Sequence, residues 1–491
     1  MGRGGRSPFA VVLPFLAILG CAVGPDFVPP QPPISGDYSP GGTPPETAAA
    51  DDLTQTFHPG APVVAEWWRL FGNESLDARI AEAIAQSPTL QAALASLRGS
   101  QDSLRAGYGV FLPQIDAGAS AVRERSFFPA SGGSSTFNLY TLAGTVSYTL
   151  DVFGGERRAV ESLAAQAEAQ DHLAAATYLT LLGNVVNATI AEAAYEAEIE
   201  ATRRLVAEQR DQAEIATAQA EAGTATYIGA YAIATQLAAT EASLPPLQQR
   251  LAQTQHLLAT LLGREPADWT SPPVELSGLD VPGDLPVTLP SELVRRRPDI
   301  LAAEAQLHQA SAEIGVATAA MFPSITLGGG YGWNSNSVAE MFVPQSHLWN
   351  IAAGLTAPLF HGGSLWYQRR AAIDAYEQAF ATYRQTALSG LQQVADALDA
   401  LQHDARQLAA QSRQLEAARE ELRLTKLNYG TGLLNYLDVV VVNAQYDQAT
   451  IAYIGAKAQR LQDTVALFVA LGGGWWSASG ESSPCEGERD S

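Results

Sequence analysis

Between Asn138 and Asp151 apolar and polar residues alternate: Tyr140, Leu142, Val146, Tyr148 and Leu150 fall on one face, Thr141, Thr145, Ser147, Thr149 and Asp151 on the other. A period of two marks a strand. The run breaks at Phe153-Gly154-Gly155, and from Glu156 more than sixty residues follow without a proline, a helix too long for an ordinary globular domain. The apolar face of the strand carries tyrosine near both ends and the other face is mostly hydroxyl and small, which suits a membrane strand with lipid on one side and water on the other. A soluble edge strand has the same pattern, and this strand alone does not separate the two.

The same order of elements recurs. Ser87-Pro88 heads a helical stretch ending in Phe111-Leu112-Pro113-Gln114-Ile115, and Arg297-Pro298 heads another ending in Met321-Phe322-Pro323-Ser324-Ile325. Phe153-Gly154-Gly155 returns as Phe360-His361-Gly362-Gly363, Gly223 as Gly432, Gln236 as Gln445, and Leu262-Gly263 as Leu471-Gly472. Landmarks in one order at nearly one spacing mark an internal duplication. Each half reads helix, strand, strand, long helix, return helix: 76–110, 114–126, 137–152, 156–221 and 227–262, then 290–320, 324–334, 348–360, 364–429 and 436–471. The third strand sets Ile325, Leu327, Tyr331 and Trp333 against Ser324, Thr326, Gly328, Gly330 and Asn334, and the fourth puts Trp349, Ile351, Leu355 and Leu359 on one face. The first is weakest, with Ile115 and alanines.

Four strands cannot close a bilayer-spanning barrel, for which about eight is the smallest common number, and open edges in lipid leave backbone groups unpaired. Strands that span must therefore be shared among chains, and three copies giving twelve strands is the natural candidate. Segment 156–221 would extend roughly 100 Å. Its alanine-rich surface permits sustained close helix packing; a solitary coiled-coil dimer is the competing reading, disfavoured by the interleaved strands. The expected fold is mainly α with a transmembrane β-barrel contribution, built from duplicated helix-strand-strand-long helix-helix halves at 63–275 and 276–475.

At the N-terminus, Arg3 and Arg6 precede the apolar run from Phe9 to Leu19, and 1–20 reads as a secretory signal. Ala17-Ile18-Leu19-Gly20-Cys21 resembles a bacterial lipobox, with isoleucine where leucine is usual, so Cys21 is the expected lipid attachment site. A plain secretory signal with an incidental cysteine is the alternative. Ala22 stands where aspartate would signal inner-membrane retention, which favours the outer membrane. Residues 21–62 are rich in Pro, Gly and Ala and are expected to form an extended surface tether without a core, and 476–491, with Cys485, a disordered tail.

With 29 Lys+Arg against 51 Asp+Glu the formal charge is −22, and no basic face is available for nucleic acid. A solvated acidic surface accounts for this balance, and so does a water-filled passage with a negative lining. No run of eighteen apolar residues follows the N-terminus, so a spanning helix in the mature chain is not expected. The seven histidines are scattered, and there is no HExxH pair, phosphate-binding loop or nucleophile elbow. Neither enzyme activity nor a metal or other cofactor is expected, apart from the covalent lipid.

The segments Cys21 to Phe27, Trp67 to Gly72, Leu289 to Ile300, Ile314 to Ala317 with Phe322 to Ile325, and Ala470 to Trp475 together resemble the outer membrane factor family, the TolC/OprM-like channels, specifically the NodT-type efflux lipoproteins. The resemblance covers nearly all of 21–475. It implies a homotrimer with a twelve-stranded β-barrel in the outer membrane and a twelve-helix periplasmic α-barrel. It also implies two partners: a periplasmic adaptor and an inner-membrane pump, commonly of the resistance-nodulation-division class. The function implied is a passive exit duct for small molecules; a polypeptide-secretion channel and a structural envelope tether are the alternatives. The turns at Gly223-Thr224 and Gly432-Leu433 resemble the adaptor-docking tips, where glycine also serves as a helix C-cap. Asn435 to Asn443 resembles the segment that narrows the closed channel, with Leu437 as a ring residue. Val441 stands where several relatives carry aspartate, and the nearby acid is Asp438, which either lines the pore or answers the helix dipole. Phe153, Gly154, Gly155, Phe360, Gly362 and Gly363 are expected to mark where barrel becomes tunnel.

Overall fold

The computed structural model describes residues 22–32, 36–42, 44–51, 53–128, 133–473 and 475. The expected signal at 1–20, Cys21 and the tail at 476–491 lie outside the described residues. In chain order the elements are β1 (Thr56–Pro59), α1 (Glu74–Gln86), α2 (Pro88–Gly107), β2 (Gln114–Phe128), β3 (Gly133–Leu150), α3 (Gly155–Glu221), α4 (Tyr227–Leu261), β4 (Asp284–Val287), α5 (Pro290–Arg296), α6 (Pro298–Ala319), β5 (Ser324–Ser335), β6 (His347–Thr356), α7 (Ser364–Gly430) and α8 (Tyr436–Ala470). The duplication is drawn in their lengths: α3 and α7 both have 67 residues, and α4 and α8 both have 35.

Three expected elements end differently. The helices expected at 76–110 and 290–320 are each broken before a proline, because the ring disfavours the α conformation in the residue ahead of it. Ser87 and Arg297 accordingly turn to extended ψ values of 119° and 121°. The strand expected at 348–360 stops at Thr356, two residues short of Pro358, which has no N–H to give a ladder. By contrast α4 runs on through Pro245 and Pro246.

The chain forms two compact units. The first comprises Ser96–Asp171 and Ala302–Arg384 with the stretch up to Pro30, and holds an antiparallel sheet in the order β2-β3-β5-β6. Its register sets Ile115 opposite Val146, Val146 opposite Gly329 and Gly329 opposite Ile351. Residues directly opposite share a face. One face therefore runs as Ile115, Ala117, Ala119 and Ala121 in β2, Tyr140, Leu142, Val146 and Tyr148 in β3, Leu327, Tyr331 and Trp333 in β5, and Trp349, Ile351 and Leu355 in β6. The other carries Asp116, Ser120, Thr145, Ser147, Thr326, Gly328, Asn334, Asn350 and Thr356. The alanines of β2 thus continue an apolar face whose bulk comes from β3, β5 and β6.

The second unit comprises Gln31–Ala95, His172–Leu301 and the chain from Gln385 onward. In its core Trp67 stacks on Phe468 with ring centroids 5.3 Å apart, among Phe71, Leu76, Ile80, Val185, Ile190, Leu461 and Val465. Here the expectation of a coreless tether is corrected. β1 pairs in parallel with β4, Phe57 opposite Leu285, and Gln55 and Phe57 are buried. Four residues of strand gain backbone partners from a segment far along the chain, which offsets the low local apolarity.

By length and composition alone, α3 is long and apolar enough to cross a membrane. Its 18-residue window of mean hydropathy 1.4 is 56% buried. Leu179, Leu181, Leu182, Val185, Val186 and Ile190 of α3 are core residues, so packing accounts for its apolarity.

Candidate functional site: joins, tips and gate segment

At the first join, Asp151 caps the long helix. Its carboxylate accepts from the Glu156 and Arg157 backbone N–H groups at 3.1 and 3.0 Å and from Arg157 Nε at 3.1 Å. An acceptor at a helix N-terminus satisfies donors that have no intrahelical partner. Phe153 stacks on Phe322 at 4.8 Å. Gly154 has φ +76°, and a Cβ there would meet the backbone of Ala22. Glycine is thus required on two counts, the left-handed turn and the close approach.

Residues 23–27 are held at this join. The Val23 N–H donates to Phe153 O at 3.0 Å, and Arg158 donates to Asp26 at 2.6 Å and to Glu161 at 2.8 Å. Phe27 stacks on His308 at 4.5 Å, and His308 Nε2 lies 3.0 Å from Glu161. The second join differs: Gly362 and Gly363 also have positive φ, but Phe360 is 88% exposed. Sequence reasoning missed Asp151, Arg158 and His308. An aspartate four residues ahead of Gly155, where the long helix begins, was a visible signal for Asp151 only.

The two tips are built alike. Gly223 (φ +71°) and Gly432 (φ +80°) end α3 and α7, with the following N–H groups of Thr224 and Leu433 donating back to Gln219 O and Asn428 O at 2.9 and 3.0 Å. This is the six-to-one bond of a Schellman C-cap. Thr226 and Asn435 then cap α4 and α8. The C-cap role of the glycines is therefore met by the turns themselves. Leu433 is 76% exposed at its tip.

In the gate segment, Asn435 and Asp438 form a capping box. The Asp438 N–H donates to Asn435 Oδ1 and the Asn435 N–H to Asp438 Oδ2, both at 3.0 Å. Asp438 is thereby occupied at the helix start. Val439 and Val442 are buried while Val441 is 50% exposed. Leu437 lies one turn before Val441 in α8, and its side chain is outside the described ones. Among the described residues no group of three or more His, Cys, Asp or Glu is placed to hold a metal.

Two carboxyls on the second helix pair are pushed upward. Burial, then a hydrogen bond and repulsion from Asp463, push Asp404 up to about 7 against the pull of Arg460. Burial and Glu208 push Asp447 up to about 7 against Arg204 and Lys426, with the Asn443 amide 3.5 Å away. An unfolded aspartate titrates near 3.9, so between about 4 and 7 the folded chain holds protons that the unfolded chain has lost. Stability therefore falls as pH rises through that window and levels off above it. Melting of the purified protein from pH 5 to 8 is expected to show that decline, and Asp404→Asn to flatten it; an unchanged slope in the variant would refute the assignment.

Known proteins carry the same architecture. A family model described as outer membrane efflux protein matches residues 80–264 and 289–473, one match in each half. The chain is 30% identical over 427 residues to the pyoverdine export outer membrane protein OpmQ of Pseudomonas aeruginosa, covering 84% of this chain and 88% of the relative. It is 27% identical over 485 residues to nodulation protein T of Rhizobium leguminosarum bv. viciae, covering 97% and 95%. The solved outer-membrane channel OprN superposes with a TM-score of 0.81 at 26% identity, over 93% of this chain and 100% of that one. With both halves matched and the strand, join and tip geometry in place, the chain belongs to the outer membrane efflux protein family.

Proposed function

We propose that three copies close one twelve-stranded barrel across the outer membrane and one twelve-helix duct in the periplasm, and that this assembly is the passive exit of a tripartite efflux system. Small molecules reach it from an inner-membrane pump of the resistance-nodulation-division class through a periplasmic adaptor. The observation that carries the reading is the four-stranded sheet. Its two edges, β2 and β6, have no partner among the described residues, and one apolar face runs across all four strands. An open edge in lipid is forbidden, and pairing β2 of one copy with β6 of the next removes every edge.

Other features support the remaining parts. Anchorage of Val23 at Phe153 supports a lipid on Cys21 at the level of the strand–helix join. The exposed Leu433 and the paired turns support adaptor docking at Gly223, Thr224, Gly432 and Leu433. Engagement of Asp438 in the capping box, with Val441 exposed, supports an apolar constriction at Leu437 and Val441 over an acidic one. The duct performs no catalysis and needs no cofactor beyond its lipid.

Relatives named for pyoverdine export and toluene efflux support small-molecule cargo. Deleting the gene is expected to raise both retention of a fluorescent dye and sensitivity to antibiotics. Unchanged retention and sensitivity alongside a lost secreted polypeptide would overturn the small-molecule reading.

A further inference from the structure

We propose that residues 46–51 and 53–55 form a clasp on the α7–α8 pair, with Asp51, Gln55 and Arg460 positioning the gate segment at the start of α8. The inference rests on the duct reading and adds the element that restrains it.

The clasp is a tight loop. Ala50 and Leu53 exchange both backbone hydrogen bonds at 3.0 Å, the Thr47 N–H donates to Gln55 O at 2.9 Å, and the Gln55 N–H donates to Thr47 Oγ1 at 3.1 Å. Among the described residues Asp51 alone has a positive φ without being glycine, at 51°. Left-handed backbone costs an L-residue energy, less for Asp than for most, and persists where surrounding contacts impose it. Here the turn closed by the paired Ala50 and Leu53 imposes it, and the Tyr453 hydroxyl of α8 donates to Asp51 Oδ2 at 2.7 Å.

Both helices are gripped. From α7, Gln402 Nε2 donates to Glu46 O at 3.0 Å, and Ala50 packs in one buried cluster with Leu408 of α7 and Ala456 of α8. Gln55, fully buried, accepts from Arg460 Nε at 3.0 Å and donates to Thr464 Oγ1 at 3.3 Å and to Pro282 O at 3.0 Å. Arg460 is itself buried, and its Nη2 has no hydrogen-bond partner. A junction that leaves a buried donor unsatisfied holds its place less firmly than a complete one, which suits a restraint that must yield.

The duplication separates this from generic packing. One repeat earlier, where α3 and α4 correspond residue for residue to α7 and α8, Gln402, Tyr453, Arg460 and Thr464 are replaced by Ala193, Leu244, Leu251 and Gln255. The clasp is therefore built for the second pair, the pair that carries Leu437 and Val441. Nineteen residues separate Val441 from Arg460 along α8, about 28 Å of continuous helix, so a shift at Arg460 is carried to the gate segment.

The test compares open probability of full-length trimers in planar bilayers with their melting. Asp51→Gly and Tyr453→Phe each remove the same contact from an accessible part of the loop, and Asp51→Asn keeps an acceptor and tolerates the left-handed turn. Gly and Phe are expected to raise open probability about five- to tenfold, the population shift of one lost hydrogen bond, and Asn to stay near wild type. Arg460→Leu, the residue of the first repeat, is expected to match the glycine variant. A conducting wild type with Asp51→Gly and Tyr453→Phe equally gated would overturn the clasp, as would lower melting without a change in open probability. A wild-type trimer that never conducts would instead overturn the duct reading itself.

Discussion

Replacing Arg79 with leucine is expected to cost about 3–5 kcal/mol of stability, the range seen when one partner of a buried ion pair is removed. Arg79 Nη1 donates to Glu192 Oε2 at 2.8 Å and to Thr189 Oγ1 at 3.1 Å, and Nη2 donates to Ser271 Oγ at 2.7 Å and Pro272 O at 2.5 Å. Both charged side chains are almost wholly buried, at 4% and 1% exposure. Leucine would leave the Glu192 carboxylate in the core of the helical unit with no cation beside it. The double replacement Arg79→Leu with Glu192→Leu removes both charges and is expected to recover most of the loss. Urea unfolding of wild type, both single variants and the double variant measures the coupling. Additive effects of the two changes would show that the pair is not the source of the loss.

An arginine at Ile351 is expected to destabilise the membrane-inserted form by about 2–4 kcal/mol per chain, the cost of a cation on the lipid face near the bilayer midplane. Ile351 sits in the middle of β6, 85% exposed, on the face it shares with Trp349 and Leu355. Ala352, the next residue, lies on the face of Asn350 and Gly354, so Ala352→Arg is expected to be tolerated in the water-filled lumen of the proposed barrel. The contrast between neighbours is the diagnostic, because both sit in the same strand at the same depth. It is read as the yield of heat-resistant trimer on gels. Equal yields, or the reverse order, would mean that the faces are assigned wrongly.

Much of this was legible in the chain. The duplication could be read from Pro88 and Pro298, the Phe-Gly-Gly pair and the tip glycines, because each serves a backbone need that few other residues meet. β3 and β5 were legible for the same physical reason: their alternation is strong enough to carry a face alone. β2 was expected at 114–126 and is found at Gln114–Phe128, but its face was not legible, since its alanines acquire meaning only when the register sets them beside Leu142 and Tyr140. β1 and β4 are four residues each and contain Pro59 and Pro286, so their pairing depends on a partner more than two hundred residues away.

The gate segment showed its chemistry in part. Asn435 and Asp438 have the spacing of a capping box, a signal that local sequence does carry, and the structure uses Asp438 that way. Long-range polar contacts left no local trace. Arg79 and Glu192 are unremarkable in their own helices, and Gln55 lies in a stretch whose composition reads as linker. Burial assigned those roles.

Single-channel recording of the purified full-length protein in planar bilayers tests the central claim most directly. A trimer that closes one barrel and one duct is expected to give discrete, repeatable conductance steps of a single size class. Heat-resistant trimers that insert into the bilayer and never conduct would contradict it.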